Sequence, residues 1–199
     1  MPHNMKKYDW AKRLTDICIS AVCLVIFLPI FILLYILVKR DGGAAIYKQE
    51  RIGRGGKPFN IYKFRSMNMD AEKDGGELLQ IDNDPRVTHI GKFLREHHLD
   101  ELPQLWNVLK GDMAFVGPRP ERKYYIDQIM EHDTRYTDLY QIRPGVTSYA
   151  TLYNGYTDTM EKMLRRLELD LYYLEHRSWW FDAKILLYTF INIAFGKKF

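Results

Sequence analysis

Between residues 17 and 38 the chain carries no charged side chain, and this stretch reads ICISAVCLVIFLPIFILLYILV. A helix rises about 1.5 Å per residue, so 22 residues would reach roughly 33 Å, enough to cross the apolar core of a bilayer. A signal peptide is not expected, because the run is too long and Lys39 and Arg40 follow it in place of small residues. The segment therefore predicts contact with a membrane.

Two features argue against a straight transmembrane helix. Pro29 lies near the middle, where it removes one amide donor and its ring clashes with the carbonyl of Val25. Lysines and arginines flank both ends, so the positive-inside bias gives no direction. A re-entrant hairpin that dips into one leaflet satisfies both observations, and a kinked span is the alternative. In either case we expect the polar remainder to stay on the cytoplasmic side.

Length and charge limit the remaining choices. The 199 residues suit one domain with an appendage, which we divide into a membrane segment at 1–40 and a catalytic domain at 41–199. The net charge of +4 suits anionic substrates or an anionic membrane surface. Basic residues are scattered rather than gathered in one stripe, so no nucleic acid partner is expected. Cys18 and Cys23 lie in the apolar run and match neither a disulfide framework nor a metal motif.

The rest of the chain predicts an α+β fold that is mainly helical. Two strands with a glycine-rich turn between them form a hairpin, and the aromatic C-terminal helix suits a membrane interface, with a buried core helix as the alternative. The expected strands are 44–50, 58–64 and a short one within 111–120; the expected helices lie within 90–109, with an interruption at Pro103, and at 121–132, 158–176 and 178–195. Residues 67–86 are expected to be mostly loop, and residues 141–156 to be irregular.

Asp100 and Glu101 stand side by side in the apolar stretch LDELPQLW at 99–106. A carboxylate can act as a nucleophile toward phosphorus if a divalent cation and basic side chains offset the charge of the phosphate. Arg119 is a strong candidate, because the prolines on both sides restrict its backbone. The other candidate cations are Lys63, Arg65, Arg95 and Arg143. The residues alone thus indicate a membrane-bound site for a phosphorylated ligand, with structural ion pairs as a nearly equal alternative.

Two other functions fit parts of the sequence. Asp82 and Asp84 form the Asp-x-Asp pattern of metal-dependent glycosyltransferases, which would release UDP, although the sequence DNDP also makes a good turn. A non-catalytic adapter that binds anionic lipid through basic residues is the second alternative.

The run DPRVTHIGKFLREHHLDELPQLWNVLKGDMAFVGPRP at 84–120 closely resembles the bacterial sugar transferase family, the small monotopic polyprenyl-phosphate phosphoglycosyl transferases. The resemblance covers nearly the whole chain. It includes YKFRSM at 62–67, RPGVT at 143–147 and ELDLYYLEHRSWWFDAKIL at 168–186.

The resemblance implies transfer of a sugar-1-phosphate from a UDP-sugar to a polyprenyl phosphate such as undecaprenyl phosphate, with Mg²⁺ as cofactor and UMP as product. Asp100 would be the nucleophile that forms a covalent phosphosugar intermediate, and Glu101 its partner; both are our candidate metal ligands. Lys63, Arg95, Arg119, Arg143 and Asp170 match site positions of the family. The expected location is the cytoplasmic face of the bacterial inner membrane, in contact with lipids through a helix that re-enters at Pro29, and a homodimer is one assembly to test.

The sequence departs from the family pattern at two places. Leu28 replaces the serine that often precedes the helix-breaking proline, so Pro29 would have to make the break alone. After RPG the chain reads VTSYATLYNGY where a Gly-Trp-Ala-Gln pattern is common, which leaves the identity of the sugar open. Larger relatives carry further N-terminal membrane helices, so we expect a minimal catalytic unit.

Overall fold

A computed structural model describes residues 3–71, 84–155 and 157–195. The described chain is mainly helical with two small sheets, which confirms the expected α+β class. The helices are α1 (His3–Ile26), α2 (Leu28–Arg40), α3 (His89–Glu96), α4 (Gln104–Lys110), α5 (Lys123–His132), α6 (Tyr149–Asn154), α7 (Met160–His176) and α8 (Trp179–Ala194). The strands are β1 (Ile46–Ile52), β2 (Pro58–Phe64), β3 (Ala114–Val116) and β4 (Gly145–Thr147), and 3₁₀ turns occupy Arg54–Gly56, Leu99–Glu101 and Thr134–Gln141.

The two sheets differ in how the chain forms them. Strands β1 and β2 make the expected antiparallel hairpin, with β1 starting two residues later than predicted. Strands β3 and β4 pair in parallel, and here the expectation that 141–156 is irregular was wrong, since this range contains β4 and α6. The pairing requires glycine, because a Cβ on Gly145 would lie 2.2 Å from the amide nitrogen of Gly117.

Helices α1 and α2 meet at Phe27 with a bend of 64°. Pro29 lies in the first turn of α2, where its missing N–H leaves the carbonyl of Val25 without its helical donor. No single described helix has the length and apolarity to cross a bilayer, but this bent pair meets both criteria when its two halves are taken together.

One face of α1 packs on the rest of the molecule. Tyr8, Lys12, Asp16 and Ser20 recur every four residues, as required for one helical face, and Tyr8 and Lys12 each donate to Asp182 Oδ2 of α8 at 2.7 Å. The apolar residues beyond Ser20 are mostly exposed. Val25, for example, is 73% exposed.

The end of α2 packs on the same body from another side. Leu34 and Val38 are buried in a cluster with Phe64 of β2 and Leu94 of α3. Burial of each such side chain is worth roughly 1.5–3 kcal/mol, enough to anchor the end of the helix. Arg65 adds a hydrogen bond from its Nη2 to the carbonyl of Val38 at 3.0 Å.

Candidate active site

The two adjacent acids lie in the 3₁₀ turn Leu99–Glu101, between α3 and α4. His98 precedes the turn with φ 53° and ψ 21°, and it is the one non-glycine residue with positive φ in the described part of the chain. Histidine tolerates this left-handed region better than most residues do, but the conformation still costs roughly 1–2 kcal/mol. The reversal at His98 sets the direction in which the acids leave α3, and Pro103 then leads into α4.

Glu101 is held by two cations. Lys63 Nζ of β2 donates to Glu101 Oε1 at 2.7 Å, and Arg119 Nη2 donates to the same oxygen at 3.1 Å. Burial raises the pKa of Glu101, but Lys63 and Arg119 outweigh it and hold this pKa well below its usual range. Glu101 is therefore ionised at neutral pH, and its second oxygen, Oε2, takes part in neither ion pair.

Asp100 has a different environment. The residue is 9% exposed, and its carboxylate makes no hydrogen bond or ion pair with any described residue. Burial raises the pKa of Asp100, Lys63 opposes this, and the charge of Glu101 raises it further. A buried carboxylate that no described residue bonds, beside an ionised one, is suited to bind a cation or to attack an electrophile.

Arg95 of α3 provides a third cation near Asp100. Its charge lowers the pKa of Asp100, and its Nε donates to Ser66 Oγ at 2.9 Å. The Nη1 atom is buried and has no hydrogen-bond partner among the described residues, so it is available to an anion. Helix α3 packs closely enough for this contact because position 91 is glycine: a Cβ there would lie 2.0 Å from the carbonyl oxygen of Ser66.

The sequence-predicted residues do not all meet in one place. Lys63, Arg95 and Arg119 join Asp100 and Glu101, whereas Arg65 binds the end of α2 at Val38. Two further candidates make other contacts in the described structure: Arg143 donates from Nε to the carbonyl of Gly111 at 2.9 Å, and Asp170 is buried beneath the loop that carries Arg119. Burial and the charges of Arg13 and Arg54 lower the pKa of Arg143.

Asp84 begins a turn that runs to Val87; the first two residues of the predicted turn at 82–85 lie outside the described residues. Its carboxylate accepts hydrogen bonds from the backbone and the guanidinium of Arg86, and its carbonyl accepts the amide of Val87 at 3.1 Å. The bond from Arg86 lowers the pKa of Asp84. Asp82, the other member of the proposed Asp-x-Asp pair, lies outside the described residues.

Asn107 is a supporting residue that sequence reasoning missed. It is fully buried in α4, accepts the amide of Tyr62 at 3.0 Å and donates to the carbonyl of Asn60 at 2.7 Å. These bonds fasten α4 to β2, the strand that carries Lys63. A polar residue inside the apolar helical face QLWNVLK was the signal that could have revealed it.

The described residues contain no cluster of three or more histidine, cysteine or acidic side chains that could hold a metal ion. Two candidate ligands suit a hard cation. One is the carboxylate of Asp100, and the other is the Oε2 oxygen of Glu101, which no described cation contacts. Mg²⁺ commonly binds through one or two carboxylates and takes its remaining ligands from water and substrate phosphates, so these two groups are compatible with it.

A sequence profile of the family described as bacterial sugar transferase matches residues 7–196. The chain belongs to this family. It is 37% identical over 190 residues to a UDP-N-acetylgalactosamine-undecaprenyl-phosphate N-acetylgalactosaminephosphotransferase of Aeromonas hydrophila, covering 95% of this chain and 45% of the relative. It is 42% identical over 188 residues to a UDP-glucose:undecaprenyl-phosphate glucose-1-phosphate transferase of Klebsiella pneumoniae, covering 91% of this chain and 40% of the relative.

A third bacterial sugar transferase relative, from Bacillus subtilis, has a more similar length. It is named a putative undecaprenyl-phosphate N-acetylgalactosaminyl 1-phosphate transferase and is 48% identical over 132 residues, which cover 66% of this chain and 73% of the relative. The chain spans less than half the length of the two relatives described above. The three names agree on the undecaprenyl-phosphate acceptor and differ in the sugar.

Proposed function

We propose that this protein transfers a sugar-1-phosphate from a UDP-sugar to a polyprenyl phosphate, most simply undecaprenyl phosphate, and releases UMP. The observation that carries the proposal is the contrast between the adjacent acids: Glu101 is paired with Lys63 and Arg119, while Asp100 has no described partner. The relatives act on the same acceptor and on UDP-sugars, which supports the substrate class. This reaction would begin the assembly of a lipid-linked glycan.

In the proposed mechanism Asp100 is the nucleophile. A carboxylate oxygen attacks the phosphorus nearest the sugar, the bond from this phosphorus to the bridging oxygen breaks, and UMP leaves with the electron pair. An oxygen of polyprenyl phosphate then attacks the same phosphorus and releases Asp100. The product is a polyprenyl-diphosphate-sugar, and the enzyme returns to its starting state without a separate base for the nucleophile.

The cations around the turn would stabilise the negative charge of both steps. Arg119 and Lys63 pair with Glu101, Lys63 and Arg95 both act on Asp100 electrostatically, and Arg95 has a buried N–H group without a described acceptor. Guanidinium groups bind phosphate oxygens in pairs, and preorganised donors of this kind typically contribute a factor of roughly 10²–10³ each to the rate.

We also propose Mg²⁺ as the cofactor. Asp100 and Glu101 Oε2 would hold it, and the ion would offset the charge of the diphosphate when bound. Arg143 and Asp170 stay in the proposal as residues that support the site, because their described contacts are with Gly111 and with the surroundings of Arg119.

Residues 1–40 are proposed to form a re-entrant membrane segment, and residues 41–199 the catalytic domain on the cytoplasmic face. Two contacts support this: Tyr8 of α1 is hydrogen-bonded to Asp182, and Val38 at the end of α2 is hydrogen-bonded to Arg65. Both ends of the apolar helix pair α1–α2 are therefore attached to residues of the 41–199 domain. A body of this kind lies on one side of a bilayer. The exposed aromatic residues of α8, such as Trp180 at 80% exposure, suit the interface of the same membrane.

The test measures the nucleotide product. Membranes containing the protein, Mg²⁺ and undecaprenyl phosphate are supplied with a panel of UDP-sugars, and wild type is compared with Asp100→Asn and Asp84→Asn. We expect UMP from at least one sugar, loss of this activity in Asp100→Asn, and its retention in Asp84→Asn. Release of UDP, or UMP release that Asp100→Asn leaves unchanged, would overturn the proposal.

A further inference from the structure

The loop Pro118–Glu121 carries Arg119 to the active site and is bound on several sides. The carbonyl of Pro118 accepts the amide of Gly145 at 2.8 Å, and the carbonyl of Glu121 accepts the amide of Ile52 at 3.1 Å. The carbonyl of Pro120 accepts Nη1 of Arg51 at 3.2 Å. The backbone on either side of Arg119 is therefore fixed, and its guanidinium reaches Glu101 from this fixed position.

Asp170 of α7 lies directly beneath this loop. It is 2% exposed and shares a small cavity with Arg119, Tyr136 and Arg166. Its Oδ1 atom is buried and has no hydrogen-bond partner among the described residues. A buried carboxyl oxygen without a partner is costly, which calls for a role beyond packing.

A second acid completes the support of the loop. Glu121 pairs with Arg166 of α7, and its other oxygen lies 3.5 Å from Nη1 of Arg51 on β1. Arg166 precedes Asp170 by four residues on α7 and lines the same cavity. The ion pairs Arg51–Glu121 and Glu121–Arg166 thus tie β1 and α7 together under the segment that presents Arg119, beside Asp170.

We infer that Asp170 is a positioning residue that acts through Arg119, and that it does not bind the substrate itself. The inference rests on the proposed function. Its physical basis is burial: a side chain covered by the Arg119 loop is out of reach of a nucleotide sugar at the surface, but it lines the same small cavity as Arg119. Small displacements of a phosphate-binding arginine change rates strongly, so loosening this support affects catalysis.

A double-mutant cycle distinguishes action through Arg119 from direct contact with substrate. UMP release is measured for wild type, Asp170→Asn, Arg119→Ala and the double variant, using radiolabelled donor so that slow variants stay measurable. We expect Asp170→Asn to lower kcat/KM about tenfold in the wild-type background and less than about twofold once Arg119 is gone. An equal loss of kcat/KM in both backgrounds overturns the inference, because the effects of two independent contacts with substrate on kcat/KM multiply.

Asp182→Asn is the matched control. Asp182 is also a buried acid, but it bonds to Tyr8, Lys12 and Tyr173, away from the Arg119 loop. If Asp182→Asn lowers activity through folding, the factor should be the same in the wild-type and Arg119→Ala backgrounds. Thermal melts of each variant would check the folding.

If Asp170→Asn does not fold, Glu121→Gln takes its place, since it loosens the same loop at Arg51 and Arg166. Glu121→Gln is expected to lower kcat/KM in the wild-type background and much less in the Arg119→Ala background. An equal decrease of kcat/KM in the two backgrounds overturns the inference. Wild type that releases no UMP from any donor overturns the proposed function instead.

Discussion

The two acids of the active-site turn are neighbours in sequence but have different chemical environments. A 3₁₀ turn has three residues per turn, so successive side chains diverge by roughly 120°. Glu101 consequently bonds to Lys63 and Arg119, whereas Asp100 makes no bond to a described residue and is influenced by the charges of Lys63, Glu101 and Arg95. In this arrangement one acid organises cations, and the other is left without a described partner for chemistry.

Removing the charge of Glu101 should affect both stability and activity. In Glu101→Gln, Lys63 and Arg119 lose their anionic partner, so we expect the free energy of unfolding to fall by about 1–3 kcal/mol and UMP release to fall about a hundredfold. Denaturant melts and turnover assays measure the two effects. Glu168→Gln is the control, because its ion pair with Arg135 is exposed and solvent screening should leave it with little effect on stability. Equal effects in the two variants would contradict the role given to Glu101.

Asp170 gives a prediction about pH. Burial raises the pKa of Asp170 to about 8, although Arg166 opposes the shift. Between its unfolded pKa near 4 and about 8, the folded state holds a proton that the unfolded state has lost, so raising the pH through this window should destabilise the protein. Asp170→Asn cannot ionise and should lose less stability from pH 5 to pH 9, by at least about 1.4 kcal/mol, in chemical denaturation at each pH.

The control for the pH experiment is Asp158→Asn. Asp158 is exposed, and the hydrogen bond from Lys162 lowers its pKa, so its titration falls on the acid side of the window. Its stability curve from pH 5 to pH 9 should run parallel to that of wild type. If Asp170→Asn also gives a parallel curve, Asp170 has an ordinary pKa in the folded protein.

At the scale of elements, the sequence predicted helices and strands correctly where their residue pattern extended over many residues. The hairpin β1–β2, α7, α8 and the break at Pro29 follow from alternation, apolar periodicity and proline. Strand β3 was expected within 111–120, but helix α6 and strand β4 were missed because they have only six and three residues. The parallel pairing of β3 and β4 depends on the close approach of Gly117 and Gly145. Such contacts between distant segments leave no local signature.

The candidate site follows the same division. Asp100, Glu101, Lys63, Arg95 and Arg119 were all named from the sequence, and the structure brings them together. Their supports could not be named: Asn107 and Ser66 act through hydrogen bonds across 47 and 29 residues of sequence. The contact of Arg65 with Val38 was equally hidden, because a basic residue near a predicted site looks the same whether it binds phosphate or a helix end.

Pro29 should determine the bend between α1 and α2. In Pro29→Ala the amide of residue 29 can again donate to the carbonyl of Val25, so we expect a straighter junction than the present 64°. Spin labels at Trp10 and Tyr35, both exposed, would then move further apart in distance measurements on the protein in lipid nanodiscs. Leu28→Ala, with the proline retained, is the control and should keep the wild-type distance. An unchanged distance in Pro29→Ala would assign the bend to the contacts that hold the two helix ends.

At the scale of the whole molecule, the contacts that hold the two ends of the α1–α2 pair support the proposed re-entrant topology. Tyr8 and Lys12 bond to Asp182, and Arg65 bonds to Val38. The catalytic body, residues 41–199, therefore holds the chain near the start of α1 and near the end of α2. Crossing the bilayer would require one of these buried polar contacts to break, which typically costs several kcal/mol when a charged group is left alone. In the proposed re-entrant arrangement, the apolar tip around Phe27 would be the part that enters the membrane.

We therefore expect both ends of the apolar pair to be labelled from the cytoplasmic side. Cys18 and Cys23 are first replaced by serine, and single cysteines are placed at the exposed positions Lys7 and Asp41. An impermeant maleimide should react with both in inside-out vesicles and with neither in right-side-out spheroplasts. Labelling of the two positions from opposite sides would establish a kinked span. Because the buried contacts of Tyr8 and Val38 could not then both exist, that outcome would also require the packing of α1 or α2 on the catalytic body to differ from the one described.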